Sequence, residues 1–124
     1  MALRVLVVDD SEMVRRILRL LLGSRDWAVS EAESGRDGVA KFKKLEPDVV
    51  VLDLAMPDMT GIEAAKMMSC SDPTVPIVLF TILEIEGIER SATEAGIKAI
   101  VRKNNAWSLI PQIEKVAHLP NSTA

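Results

Sequence analysis

The sequence predicts a single α/β domain built on a parallel sheet with helices on both faces. Three observations carry this. Short Val/Leu/Ile runs that do not alternate with polar residues recur along the chain, as in strands buried on both sides. Each is followed by a stretch whose apolar residues fall at helical spacing. The alternation repeats five times, which right-handed crossovers between parallel strands satisfy. With 124 residues the chain is long enough for one core and too short for two ordinary domains.

Leu3 to Val8 is apolar apart from Arg4 and stops at Asp9-Asp10, giving the first strand. From Ser11 the period changes. Val14, Ile17, Leu18 and Leu21 mark one helical face, and Gly23 supplies a stop. Trp27 to Ala32 is a weaker strand. Ser34 can cap a helix with the stripe Val39, Phe42 and Leu45, closed by Pro47. Val49 to Leu52 is a strongly buried strand ending in Asp53. Thr60-Gly61-Ile62-Glu63 has capping-box spacing, so a helix is expected from there to about Cys70. Pro73 and Pro76 then break the chain before a strand from Ile77 to Phe80 that finishes at Thr81. A helix from Glu84 to about Ala95 follows, with Gly87 inside it at a cost of ~1 kcal/mol relative to Ala. Ile97 to Val101 is the fifth strand, ending at Arg102-Lys103. The last helix is expected from near Ser108, where Pro111 is tolerated in the first turn.

Composition narrows the function. The two Phe, two Trp and no Tyr argue against single-strand nucleic-acid binding by stacking, and a net charge of -3 weakens any phosphate-backbone role. No direct nucleic-acid contact is expected. The longest stretch without a charged residue, eleven residues from Pro73 to Leu83, is well short of the ~20 that a transmembrane helix needs, so no membrane insertion is expected. The single cysteine, Cys70, rules out an internal disulfide and a cysteine-based zinc site. The opening Met1-Ala2-Leu3-Arg4 is unlike a secretory signal. A cytoplasmic location is the expectation.

In parallel sheets of this kind the ligand site lies off the carboxyl ends of the strands. Asp9-Asp10, Asp53, Thr81 and Lys103 all stand at such ends and should converge. Taken singly, Asp9-Asp10 would read as helix capping and Thr81 and Lys103 as surface residues. Their shared location reverses that reading. Gathered carboxylates repel one another, and a divalent cation relieves this. Oxygen-only ligands that leave waters in place favour Mg²⁺ together with a phosphate group. Lys103 adds a positive charge and Thr81 a hydroxyl, so the set can hold the equatorial oxygens of a transferring phosphoryl group. Asp53 would be the nucleophile and form an acyl phosphate.

These residues resemble a known family. Val7-Val8-Asp9-Asp10-Ser11, the segment Val50 to Gly61 with its Asp53-Leu54-Ala55-Met56-Pro57 turn, Thr81 and Lys103 look like the receiver domain of bacterial response regulators, in order and spacing. The resemblance implies a flavodoxin-like (βα)5 fold with strand order 2-1-3-4-5. It implies phosphotransfer to Asp53 from a sensor histidine kinase or phosphotransfer protein, and an output protein that the sequence does not identify. It also implies that Asp10, Asp53 and the backbone carbonyl of Ala55 bind Mg²⁺ directly, that Asp9 acts through water, and that Thr81 and Lys103 contact the phosphoryl oxygens. Residues 1–119 are expected to form the domain and 120–124 a tail.

Three positions depart from the family's pattern: Asn104 stands where Pro is usual, Ile100 where an aromatic is usual, and Ile82 where a small residue is usual. The first predicts a trans Lys103-Asn104 bond, because cis costs roughly 2.5 to 4 kcal/mol before a residue other than proline. Ile100 has no ring to report a rotation. Ile82 either shields the site or is carried away by a different backbone path. The leading reading is a signalling domain and not an enzyme. The alternatives are an interaction module with lost or atypical switching, and a small Mg²⁺-dependent aspartyl phosphohydrolase. Asp58 and the Glu84/Glu86/Glu89 group read as solvated faces, Met67, Met68 and Cys70 as packing or exposed groups, and His118 as a surface helix residue.

Overall fold

The computed structural model describes residues 2–119. The expected tail at 120–124 lies outside the described residues. The elements are β1 (Arg4–Val8), α1 (Glu12–Gly23), β2 (Ala28–Ala32), α2 (Gly35–Leu45), β3 (Val49–Leu52), α3 (Gly61–Ser71), β4 (Ile77–Thr81), α4 (Ile88–Glu94), β5 (Ile97–Arg102) and α5 (Leu109–Val116). A 3-10 segment, Lys103–Ser108, joins β5 to α5. All strand pairs are parallel and the order is 2-1-3-4-5, the flavodoxin-like arrangement.

The apolar runs are continuous because both faces of the sheet are covered. Val5, Val7, Val49 and Val51 pack against Leu18, Leu22, Leu109 and Ile113 of α1 and α5. The alternate residues Leu6, Val8, Val50 and Leu52 meet Val39, Phe42, Ala64, Met68 and Ala92 of α2, α3 and α4. Each such fully buried aliphatic side chain contributes about 1.5–3 kcal/mol relative to exposure, so the central strands hold the rim of the sheet in place. Ile100 also packs, partly buried, on the α2–α4 side.

Three expectations shift. In α1 the leucine run makes the phase ambiguous, and the buried residues are Leu18 and Leu22 while Ile17 is turned outward with Met13 and Leu20. In α4 the helix starts at Ile88 and not at Glu84. Gly87 lies outside it as the N-cap, with φ of 81° and no side-chain cap. Glycine tolerates this left-handed geometry without steric cost, whereas the preceding Ile82 and Ile85 disfavour an extra helical turn. The other end of α4 is anchored: Ser69 Oγ on α3 donates to the carbonyl of Ala95 at 2.9 Å. Any Cβ on Gly96 would come within 2.3 Å of the same Ser69 Oγ, so the chain passes there in close contact. The third shift is His118, which stands just beyond α5 with φ of 56° and not within the helix.

Candidate functional site

Main-chain bonds bring the acids together. The ladder continues one residue beyond the strands, with Asp9 N–H donating to Ala32 O at 3.1 Å and Asp53 N–H donating to Val8 O at 2.9 Å. Asp9 and Asp53 therefore leave adjacent strands side by side. The cap of α1 is Ser11, whose hydroxyl accepts from Val14 N–H at 3.3 Å. Asp9 Oδ1 accepts from Ser11 N–H at 2.9 Å, so this carboxylate helps set the turn while facing the site.

The segment after Asp53 is held as firmly. Gly61 N–H donates to Leu54 O at 2.7 Å, and a Cβ on Gly61 would lie 2.3 Å from the carbonyl oxygen of Asp53. Only glycine lets α3 begin so close to the strand end. The expected capping box is formed: Glu63 N–H donates to Thr60 Oγ1 at 3.1 Å and Thr60 N–H to Glu63 Oε1 at 3.2 Å. Asp58, which the sequence suggests is merely solvated, accepts from Gly35 N–H at 3.0 Å and Arg36 N–H at 2.8 Å. Those bonds, with Arg36 first, hold its carboxyl below the usual range and tie the loop to the start of α2.

Asp9 and Asp53 are buried, 2% and 6% exposed, whereas Asp10 is exposed. One carboxylate oxygen from each of the three lies within 4.8 Å of the others. Lys103 Nζ reaches in at 2.8 Å from Asp9 Oδ2 and 3.3 Å from Asp53 Oδ1. Burial, and next the charge of Asp9, push the Asp53 carboxyl up to about 6 against the opposing pull of Lys103. Burial by itself would lower the Lys103 ammonium. The hydrogen bond and charge of Asp9, then those of Asp53, outweigh it and leave the group above its ordinary value. Lys103 is thus a cation shared between the two buried acids.

Thr81 is buried at the end of β4, and its hydroxyl oxygen accepts from Leu83 N–H at 3.0 Å. It pairs in register with Arg102 of β5, whose guanidinium donates to Leu83 O and stands 3.9 Å from Glu84. Ile82 is 73% exposed, so the backbone carries it to the surface. The peptide bonds among the described residues are trans, including Lys103-Asn104, as the absence of proline predicts. Sequence reasoning missed Arg15. Its Nη1 donates to the carbonyl of Asp9 at 2.7 Å, and its Nε lies 3.3 Å from Glu31 of β2. The one hint was an acid, Glu31, standing in a strand.

The donor set is all oxygen, closely spaced, partly open through Asp10 and next to a fixed ammonium. That fits a small hard divalent cation with phosphate and does not fit a metal needing nitrogen or sulfur ligands.

Comparison with known proteins identifies relatives along most of the chain. The response regulator receiver domain model matches residues 5–113. A chemotaxis protein CheY of Listeria monocytogenes is 32% identical over 117 residues, covering 93% of this chain and 98% of that protein. A protein-glutamate methylesterase/protein-glutamine glutaminase of Methanosarcina mazei is 36% identical over 117 residues, 91% of this chain but only 32% of that longer protein. Among solved structures, response regulator protein TrrA of Thermotoga maritima in complex with Mg(2+)-BeF superposes with a TM-score of 0.85 at 28% identity, covering 92% of this chain and 98% of that one. With the family model matching residues 5–113 and a relative covered almost end to end, the chain belongs to the response regulator receiver domain family of two-component systems.

Proposed function

We propose that this receiver is a phosphorylation-controlled signalling domain that accepts a phosphoryl group onto Asp53. The observation that carries the reading is the buried Asp53 carboxylate, 3.3 Å from Lys103 Nζ and grouped with Asp9 and Asp10 at the strand ends. An Asp53 oxygen attacks the phosphorus of a phosphohistidine, the P–N bond breaks, and its electron pair returns to the imidazole, which takes up a proton. Lys103 neutralises charge on the phosphoryl oxygens and the Thr81 hydroxyl donates to one of them. Asp10, Asp53 and the carbonyl of Ala55 would hold Mg²⁺, with Asp9 contributing through water, and the ion would supply positive charge to offset that of the phosphoryl oxygens. The donor is a sensor histidine kinase or phosphotransfer protein, and the phosphorylated form is read by a separate output surface or protein. A reducing cytoplasm suits an exposed, unpaired Cys70.

The test uses acetyl phosphate and Mg²⁺ on the whole chain, followed by mass measurement. Wild type should gain one phosphoryl group and Asp53→Ala none. Wild-type yield on the Ala variant would overturn the assignment. Mg²⁺ affinity should fall more in Asp10→Ala than in Thr81→Ala, since only the acid is a ligand. The switch-lost interaction module is favoured by Ile100, an aliphatic residue held in partly buried packing. That reading would gain if phosphorylated Asp53 produced no change beyond the pocket.

A further inference from the structure

Asp10 is exposed, and its carboxylate has no hydrogen-bond or ion-pair partner among the described residues. Its direction therefore depends on the backbone that carries it. The peptide plane leading into Asp10 has the Asp9 carbonyl at one edge, and that oxygen receives Arg15 Nη1 at 2.7 Å. The Arg15 side chain is 13% exposed and its Nε pairs with Glu31 Oε1 at 3.3 Å. Glu31 is in turn steadied by Arg19 Nη1 at 2.5 Å on its other oxygen and by Lys41 Nζ, which donates to its carbonyl at 2.6 Å. A planar guanidinium can serve a carbonyl and a carboxylate at once, where an ammonium serves as a point charge.

We propose that Arg15, held by Glu31, is a positioning residue that aims the Asp10 carboxylate through the Asp9 carbonyl and thereby sets divalent-cation affinity. This rests on the metal reading of the pocket given above. The chain of contact runs from β2 through α1 to the turn after β1 and touches neither the ion nor the phosphoryl group. Groups that orient ligands from behind commonly change metal affinity by about 10- to 100-fold when removed.

Mg²⁺ titration followed by the amide shifts of Asp9, Asp10 and Ser11 tests the proposal on the intact chain without any phosphoryl transfer. Arg15→Met should bind Mg²⁺ about tenfold more weakly, at the low end of that range. Arg15→Lys should show an intermediate loss, and Glu31→Gln a loss in the same direction. Arg19→Ala is the control for general docking of α1, because it removes the other, more exposed ion pair to the same Glu31. Because it leaves the Arg15–Glu31 pair in place, it should weaken Mg²⁺ binding less than Arg15→Met does. Wild-type affinity in folded Arg15→Met, or equal weakening by Arg19→Ala, would overturn the proposal. Should Arg15→Met fail to fold, wild-type affinity in both Arg15→Lys and Glu31→Gln overturns it equally. A wild-type protein with no Mg²⁺-dependent shift would instead sink the metal reading, and this inference with it.

Discussion

The half of the rim built on β1 and β3 carries its acids on main chain bonded from several sides, whereas the half after β4 hangs mainly from two side chains. Asp9 is held through its N–H, its carbonyl and both carboxylate oxygens, and Asp53 through its N–H and the tight approach of Gly61. From Ile82 to Gly87 the principal links to neighbouring elements are the Thr81 hydroxyl and the Arg102 guanidinium, both on Leu83, and the long Arg102–Glu84 pair. The difference separates two tasks. On the proposed reading, the groups that would meet a reacting phosphorus are preorganised, and the segment that would respond is drawn from the less strongly held part of the structure.

The largest effect is expected on the rigid side. Gly61→Ala drives a Cβ into the Asp53 carbonyl and should cost about 3 kcal/mol in denaturant unfolding. A cost below that of Gly87→Ala would erase the contrast. Next comes the charge stored at Asp53. Its carboxyl lies near 6 in the folded protein against an ordinary 3.8, so the metal-free fold binds the proton more tightly than the unfolded chain. Stability contributed by this group is therefore present below about 3.8 and is lost as pH rises toward 6. Asp53→Asn should abolish that slope and raise stability at neutral pH by about 1.5 kcal/mol, measured by unfolding across pH without Mg²⁺.

On the loosely held side the effects are smaller. Gly87→Ala meets nothing within 4 Å and carries only the cost of a left-handed residue, about 1 kcal/mol. The smallest change is in amide exchange from Ile82 to Ala95, which should slow severalfold when beryllofluoride occupies Asp53, as capture of Thr81 orders the segment. Unchanged protection despite confirmed binding would transfer weight to the interaction module.

The strands and the acidic rim were legible because they rest on local signals: buried runs, acids at their ends, and the capping box at Thr60. The start of α4 was not, since glycine permits both a helix interior and a left-handed cap, and only tertiary packing at Ile88 decides between them. In α1 the predicted face held for Val14, Leu18 and Leu21 and missed at Ile17, because a run of leucines satisfies more than one helical face. Lys103 was placed at the site, but its stronger partner, Asp9 at 2.8 Å, depends on side-chain reach. Arg15 and Asp58 act through main-chain groups of distant segments, a kind of pairing that leaves no pattern along a single chain.

The Ser69 contact gives α4 an unequal pair of ends. One end is pinned to α3 at Ala95, and the other begins at an uncapped glycine. A helix of seven residues is about 10 Å long, so it is a short lever with its fulcrum at Ala95. A tilt of about 10° about that point carries the Ile88 end by about 2 Å, while the pinned end barely moves. Displacement is thereby concentrated beside Ile82 and Ile85, two apolar side chains already facing solvent.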